Sequence, residues 1–135
     1  METIHSPAAP EAIGPYAQAV RSGDLIFTSG QIALTADGRF VNESIATETQ
    51  QVMANLSEVL KAAGCHLGCI IKTTIFLTDM DDFAEVNAVY AAALGSHRPA
   101  RATVAVAALP RGARVEIECV ASATSGCTED GVPCC

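Results

Sequence analysis

The chain is poor in what nucleic-acid and membrane binders need. It has no tryptophan, aromatic residues make up 4%, and 8 Lys+Arg face 15 Asp+Glu for a formal net charge of −7. Phosphate backbones are held by clustered cations, often with stacking aromatics. Here only Arg98, Arg101, Arg111 and Arg114 cluster, so RNA binding is disfavoured as the main activity. No stretch approaches the roughly 18 to 20 apolar residues of a membrane-spanning helix. Residues 1–10 carry no positive cluster and no apolar core, so a secretory signal is not expected. A cytoplasmic location is the expectation.

Hydrophobic residues are plentiful: 50% of 135 residues, against 17% charged, with a mean hydropathy of +0.30. That length fits one domain with its own core. So apolar a chain of this size is expected to cover its surplus at a subunit interface. Six cysteines are present. Cys65-His66-Leu67-Gly68-Cys69 brings two thiols and an imidazole close in sequence, but without a second matching pair. Free cysteine is a commonly buried residue, so packing outweighs metal binding here. Cys119, alternating with Val115 and Ile117, is expected in the core. Residues 1–121 read as a single domain. Cys127, Cys134 and Cys135 fall in a segment, 122–135, rich in Ser, Thr, Gly and acids, which reads as a flexible tail.

Residues 17–21 and 24–32 read as strands joined at Ser22-Gly23, with a further short strand near Phe40 and Val41. From Ser44 to Ala63, Ile45, Val52, Met53, Leu56, Val59, Leu60 and Ala63 recur at helical spacing, with Lys61 and Gly64 at the C-terminal end. Residues 70–77 are β-branched and apolar, a buried strand. Asp79 to Asp82 can cap a second helix whose inner face is Phe83, Val86, Tyr90, Ala93 and Leu94, ending at Gly95. Strands over 102–108 and 114–121 complete an α+β domain: six strands in one sheet, two helices on one face. The other face must find apolar cover, which implies more than a monomer.

Arg101 opens the apolar run Ala102 to Ala108, and a guanidinium fork suits a carboxylate. Pairing with Glu116 or Glu118 to hold the fold is the alternative. Glu116 and Glu118 share the face opposite Val115, Ile117 and Cys119. A carboxylate can orient a water and accept its proton; a solvated or interface carboxylate is the plainer reading, favoured for Glu118. Gly14-Pro15 is a turn that aims Tyr16, and Gly30 interrupts a strand where a ligand or backbone can approach closely. If the last two strands formed a hairpin, Arg101 would face about residue 122, some 20 Å from Glu116 at ~3.3 Å per residue. Either the strands are not neighbours or the two side chains meet from different subunits.

Ile13-Gly14-Pro15-Tyr16, Phe27-Thr28-Ser29-Gly30-Gln31, Arg98-Pro99-Ala100-Arg101 and Arg114-Val115-Glu116-Ile117-Glu118 occur in this order. Together they resemble the signatures of the Rid/YjgF family, over about residues 13–121. The resemblance implies a chorismate mutase-like fold, a homotrimer with a barrel-like centre and clefts between subunits, and no cofactor or metal. It implies hydrolysis of reactive 2-imino and enamino acids, released by pyridoxal-phosphate enzymes, to 2-oxo acids and ammonia. By the same resemblance Arg101 clamps the substrate carboxylate, Glu116 holds a water and Tyr16 lines the cleft near the imine nitrogen. The resemblance likewise implies substrate contacts from Ser29, Gly30, Asn87 and the backbone of Thr103. One departure stands out: relatives usually carry an aromatic or apolar residue where this chain has Arg98, a second cation that either favours dianionic substrates or simply points into solvent. A trimer that binds small 2-oxo acids without turnover, and an endoribonuclease or translation inhibitor, are the alternatives.

Overall fold

Strand β4 (Ile70–Leu77) runs through the middle of the domain, hydrogen-bonded on both edges. Thr73, Ile75 and Leu77 are buried on one face while the alternate side chains look away from the core. β5 (Ala100–Ala105) lies parallel to it on one side, and β6 (Val115–Ser122) antiparallel on the other. Beyond β6 come β3 (Leu25–Thr28), β2 (Ala19–Ser22) and β1 (Glu2–Ile4). The six-stranded order is β1-β2-β3-β6-β4-β5. A computed structural model describes residues 1–123 in this arrangement.

Two helices cover one face. Ser44 starts α1 (Ile45–Ala62) with a reciprocal cap: its hydroxyl accepts from Thr47 N and the Thr47 hydroxyl accepts from Ser44 N, each at 3.1 Å. Ile45, Val52, Met53, Leu56, Val59, Leu60 and Ala63 are all buried, as the helical spacing predicts. α2 (Phe83–Leu94) buries Val86, Tyr90 and Leu94 and ends where Gly95 turns left-handed at φ 64°. Ala93, expected on the inner face, is exposed. Val86, Tyr90 and Leu94 already fill the stripe, and Ala93 is one residue round the helix from it. The carboxylate of Asp79 caps a short 3-10 turn through Asp81 N at 2.9 Å, while Asp82 makes no side-chain cap.

The strand count of six holds with a different membership. Phe40 meets Leu34 through one isolated bridge, and the sixth strand is instead β1, paired with β2 at the edge. Residues 17–21 and 24–32 shorten to four-residue strands, and residues 102–108 become Ala100–Ala105. β6 continues to Ser122, and Ala123 donates its amide to Asp24 O at 2.7 Å. The expected tail cysteines Cys127, Cys134 and Cys135 lie outside the described residues. Cys119 is buried as expected; burial pushes its thiol up to about 12, against the opposing hydrogen bond from Thr28. Cys65 and Cys69 are buried too, and His66 uses Nδ1 to accept Gly68 N at 3.0 Å as a turn cap.

Helix and sheet are tied by a buried carboxylate. Glu48, fully buried on α1, accepts Arg114 N at 2.7 Å, Arg114 Nε at 2.8 Å and Val115 N at 3.4 Å. These bonds set where β6 begins, one residue before Glu116. Removing an acceptor that serves buried donors leaves them unsatisfied, which costs more than the net worth of the bonds. Glu48→Leu is expected to lower unfolding free energy by about 3 kcal/mol in guanidinium denaturation at fixed protein concentration. Arg114→Met should cost less, because both backbone donors still satisfy Glu48. Equal losses would place the stabilisation in the ion pair instead.

Candidate active site

Glu116 projects from β6 on the face without helices, level with Phe76 of β4. Its position is set from β3's continuation: Gln31 N donates to Ile117 O at 2.9 Å and Ile117 N to Gln31 O at 3.1 Å. That bridge brings Gly30 against the carboxylate. A Cβ at residue 30 would stand 2.4 Å from Glu116 Oε2, so the chain needs glycine here for close approach, not for a special φ. Burial, and then the nearby negative charge of Glu118, raise the Glu116 carboxyl above its ordinary value. A carboxylate shifted in this direction is a stronger base than an ordinary exposed one.

A cavity of about 330 Å³ opens beside this carboxylate. Its walls include Glu11, Ile13, Tyr16, Gly30, Arg111 and Glu116. The loop carrying Tyr16 is stapled underneath by Gln18, a buried amide the sequence reading passed over. Gln18 Oε1 accepts Ser6 N at 2.6 Å, and Nε2 donates to Ser6 O at 3.1 Å and Pro10 O at 2.7 Å. A polar side chain next to apolar Ala19 and Val20 in strand β2 was the available signal. Tyr16 is 54% exposed in the single chain. Ser29 turns its hydroxyl to Ala17 O at 2.6 Å, so it braces the turn rather than facing the cavity.

Arg101 is elsewhere. It lies level with Thr73, on the helix-covered face of edge strand β5. Its guanidinium stacks over Phe83 and Tyr90, 5.4 and 5.3 Å from the ring centroids, and donates through Nη1 to Asn87 Oδ1. Tyr90 is held in turn by its hydroxyl against Thr73 Oγ1 at 2.7 Å. Asn87 therefore orients the arginine. Arg101 is exposed in the single chain because β5 is an edge, and a second cavity of about 470 Å³ opens over it. Neither Glu116 nor Glu118 pairs with it, because both project from the opposite face. Thr103 follows on Arg101's face, its hydroxyl buried without a partner among the described residues.

No hairpin joins β5 to β6, because β4 lies between them. Arg101 and Glu116 are thus three residues out of register and two strand spacings apart, roughly 14 Å at ~3.3 Å per residue and ~4.8 Å per strand. More decisively, they project to opposite faces of one sheet. Of the remaining clustered arginines, Arg98 donates Nη1 to Gly95 O at 2.7 Å and His97 O at 2.8 Å, and Arg114 is bound by Glu48. The four do not form one open basic patch. Among the described residues no group of three or more His, Cys, Asp and Glu converges as metal ligands, and no helix is long and apolar enough to cross a membrane.

Gly30→Ala is expected to leave folding nearly intact, because the clashing atom is the free end of a side chain, yet to swing the Glu116 carboxylate away. Carboxyl NMR should then find the Glu116 pKa moved back toward the ordinary carboxylate range as it regains solvent. An unmoved value would show that the glycine is not what shapes this site.

Residues 6–123 match the family model described as Endoribonuclease L-PSP. The chain is 47% identical over 121 residues to the 2-iminobutanoate/2-iminopropanoate deaminase of Mus musculus, covering 89% of this chain and 90% of that protein. It is 45% identical over 122 residues to Reactive Intermediate Deaminase A, chloroplastic, of Arabidopsis thaliana, covering 90% of this chain and 65% of that longer protein. The crystal structure of E. coli TdcF with bound serine superposes with a TM-score of 0.86 at 38% identity, covering 90% of this chain and 98% of that one. The YjgF gene product of E. coli does so with a TM-score of 0.86 at 42% identity and the same coverage. With the matched model spanning nearly the whole described chain and the fold shared throughout, this protein belongs to the endoribonuclease L-PSP family, that is, the Rid/YjgF family.

Proposed function

We propose that this protein hydrolyses small 2-imino acids, such as 2-iminobutanoate and 2-iminopropanoate, to 2-oxo acids and ammonia without a cofactor. The observation that carries the reading is Glu116: a carboxylate with a raised pKa, pressed against Gly30 in a cavity large enough for a small acid. The names of relatives nearly half identical to this chain support it. Water adds through oxygen to C2 as Glu116 takes one of its protons. The C=N electron pair moves to nitrogen, which takes that proton back from Glu116; the adduct's hydroxyl proton then passes to nitrogen through the same carboxylate as the C–N bond breaks, releasing ammonia and the 2-oxo acid. Holding water and imine in register supplies much of the acceleration for such a step.

One chain cannot present Arg101 and Glu116 to the same small molecule, since the sheet separates them. We therefore assign the site to a cleft between subunits of a homotrimer, Arg101 and Asn87 facing Tyr16, Gly30 and Glu116 of the next copy. The helix-free face supports such an assembly: Leu25, Phe27 and Val104 are each 37–42% exposed there. Thr103 would contribute through its backbone at the same edge. A cytoplasmic location belongs to the same proposal, and cell fractionation tests it against the organellar alternative suggested by the Arabidopsis relative's name.

Arg101→Ala should lower ammonia release from 2-iminobutanoate at least about a hundredfold while the oligomer persists, because the substrate carboxylate loses a charged partner. Arg101→Lys should also fail, an ammonium being unable to form the bidentate fork. Turnover at the wild-type rate would overturn the assignment. Glu116→Gln should lose turnover and still bind 2-oxobutanoate by calorimetry; a wild-type protein that binds but never turns over would be a carboxylate-binding trimer instead.

The pH profile offers an independent check. Glu116 is a base only when ionised, so kcat/KM should fall as pH drops through its raised pKa. Glu118→Gln removes the second cause of that rise and should move the acid limb to lower pH. A limb that ignores Glu118 would assign the titration to another group.

A further inference from the structure

Arg111 is the one clustered arginine left uncommitted. Arg98 is bound to two carbonyls, Arg101 to Asn87 and Arg114 to Glu48, whereas Arg111 has no hydrogen bond or ion pair among the described residues. Yet it lines the same cavity as Glu116 and Tyr16. Its backbone is the only non-glycine with positive φ among the described residues, at φ 62° and ψ 20°, followed by Gly112 at φ 70°. L-residues other than Asn and Asp reach this region at a cost, and such outliers persist where the surroundings or a function hold them. The Pro110-Arg111-Gly112 turn thus keeps Arg111 at the wall of the cavity in a conformation glycine would adopt more easily.

The cavity already contains the carboxylates of Glu11 and Glu116, and neither is within ion-pair distance of Arg111. Its charge remains available to a ligand. The substrate's own carboxylate is accounted for by Arg101, on the other side of the cleft. An anion reaching Arg111 past Glu116 must therefore sit on the far side of C2, on the substrate's side chain. In the single chain the cavity measures about 330 Å³, several times the roughly 30 Å³ share of one water. Arg98, to which the sequence pointed for this role, has Nη1 held by Gly95 and His97.

We propose that Arg111 is a specificity-determining residue that binds a second, side-chain carboxylate, extending the substrates to 2-imino dicarboxylic acids such as 2-iminoglutarate. The assignment rests on the deaminase reading and deepens it. A guanidinium–carboxylate contact at a partly open wall is worth about tenfold in affinity.

The full-length protein, with Arg111→Gly and Arg111→Asn, tests it. Both substitutions accept the left-handed backbone, so both should fold, and thermal melting verifies that they do. Calorimetry with 2-oxoglutarate and 2-oxobutanoate, the products of the two imines, gives an affinity ratio for each variant. Both substitutions should lower the 2-oxoglutarate to 2-oxobutanoate ratio about tenfold. The kcat/KM ratio for 2-iminoglutarate over 2-iminobutanoate, both generated in situ, should fall likewise. Ratios within twofold of wild type, or a wild-type protein that refuses 2-oxoglutarate, would overturn the role of Arg111. The two readings fail separately. If 2-iminobutanoate is hydrolysed but the ratios do not move, the deaminase stands and the subsite falls. If neither imine is hydrolysed while the 2-oxo acid ratio drops, the subsite stands and the chemistry is wrong.

Discussion

Strand β4 is the constraint from which the rest of the geometry follows. It is bonded to β5 in parallel and to β6 in antiparallel register, and Thr73, Ile75 and Leu77 anchor one of its faces under the helices. Because neighbouring strands share the pleat, the parity of every residue on β5 and β6 is decided by its partner on β4. Arg101 pairs with Thr73 and faces α2, while Glu116 pairs with Phe76 and faces away. A slip of one residue in either strand would exchange these faces and bury the charge under a helix or expose the core.

Each half of the site has its own support. On the helix face, Thr73 holds the Tyr90 hydroxyl, the Tyr90 ring lies under the Arg101 guanidinium and Asn87 fixes its fork. This shell gives a cation a defined orientation without neutralising it, as a carboxylate partner would. On the open face, Gly30 makes room for Glu116, and the Gln31–Ile117 bridge keeps the two together. Gln18 and Glu48 stand one step behind, one holding the loop of Tyr16 and the other the start of β6. Within one chain the two groups stay on opposite faces of the sheet, and apolar side chains beside Glu116 stay uncovered.

The charge distribution bears on the choice of chemistry. A net charge of −7 repels polyanions, and three of the four clustered arginines are engaged within the fold. What remains is local: a stacked guanidinium on one face, and an unpaired one opposite a carboxylate with a raised pKa on the other. That pattern suits small acids better than a phosphate backbone, whose affinity depends on many contacts at once. It also separates this chain's family label from its activity, because an endoribonuclease name rests on the family model while the site's charges favour a carboxylate substrate.

Much of the fold was legible in the sequence because local chemistry dictated it. The spacing from Ile45 to Ala63, the Ser44 cap and the left-handed glycines at 64 and 95 define both helices, and the β-branched run 70–77 could only be a buried strand. The motif residues Tyr16, Gly30, Arg101 and Glu116 were visible as residue types in suggestive company. Pairing was not legible, since it depends on contacts between residues far apart in the chain. Three-residue β1 has too little pattern to announce itself and forms only because β2 offers an edge, whereas Phe40 finds no such partner beyond a single bridge. Sequence order left open whether β5 and β6 are neighbours; insertion of β4 between them, which satisfies the hydrogen bonds on both of its edges, divided Arg101 from Glu116. Likewise the sequence marked Arg98 as the unusual cation, but only the folded chain, by turning Arg98 onto two carbonyls and Arg111 into the cavity, decided which charge is free to meet a ligand.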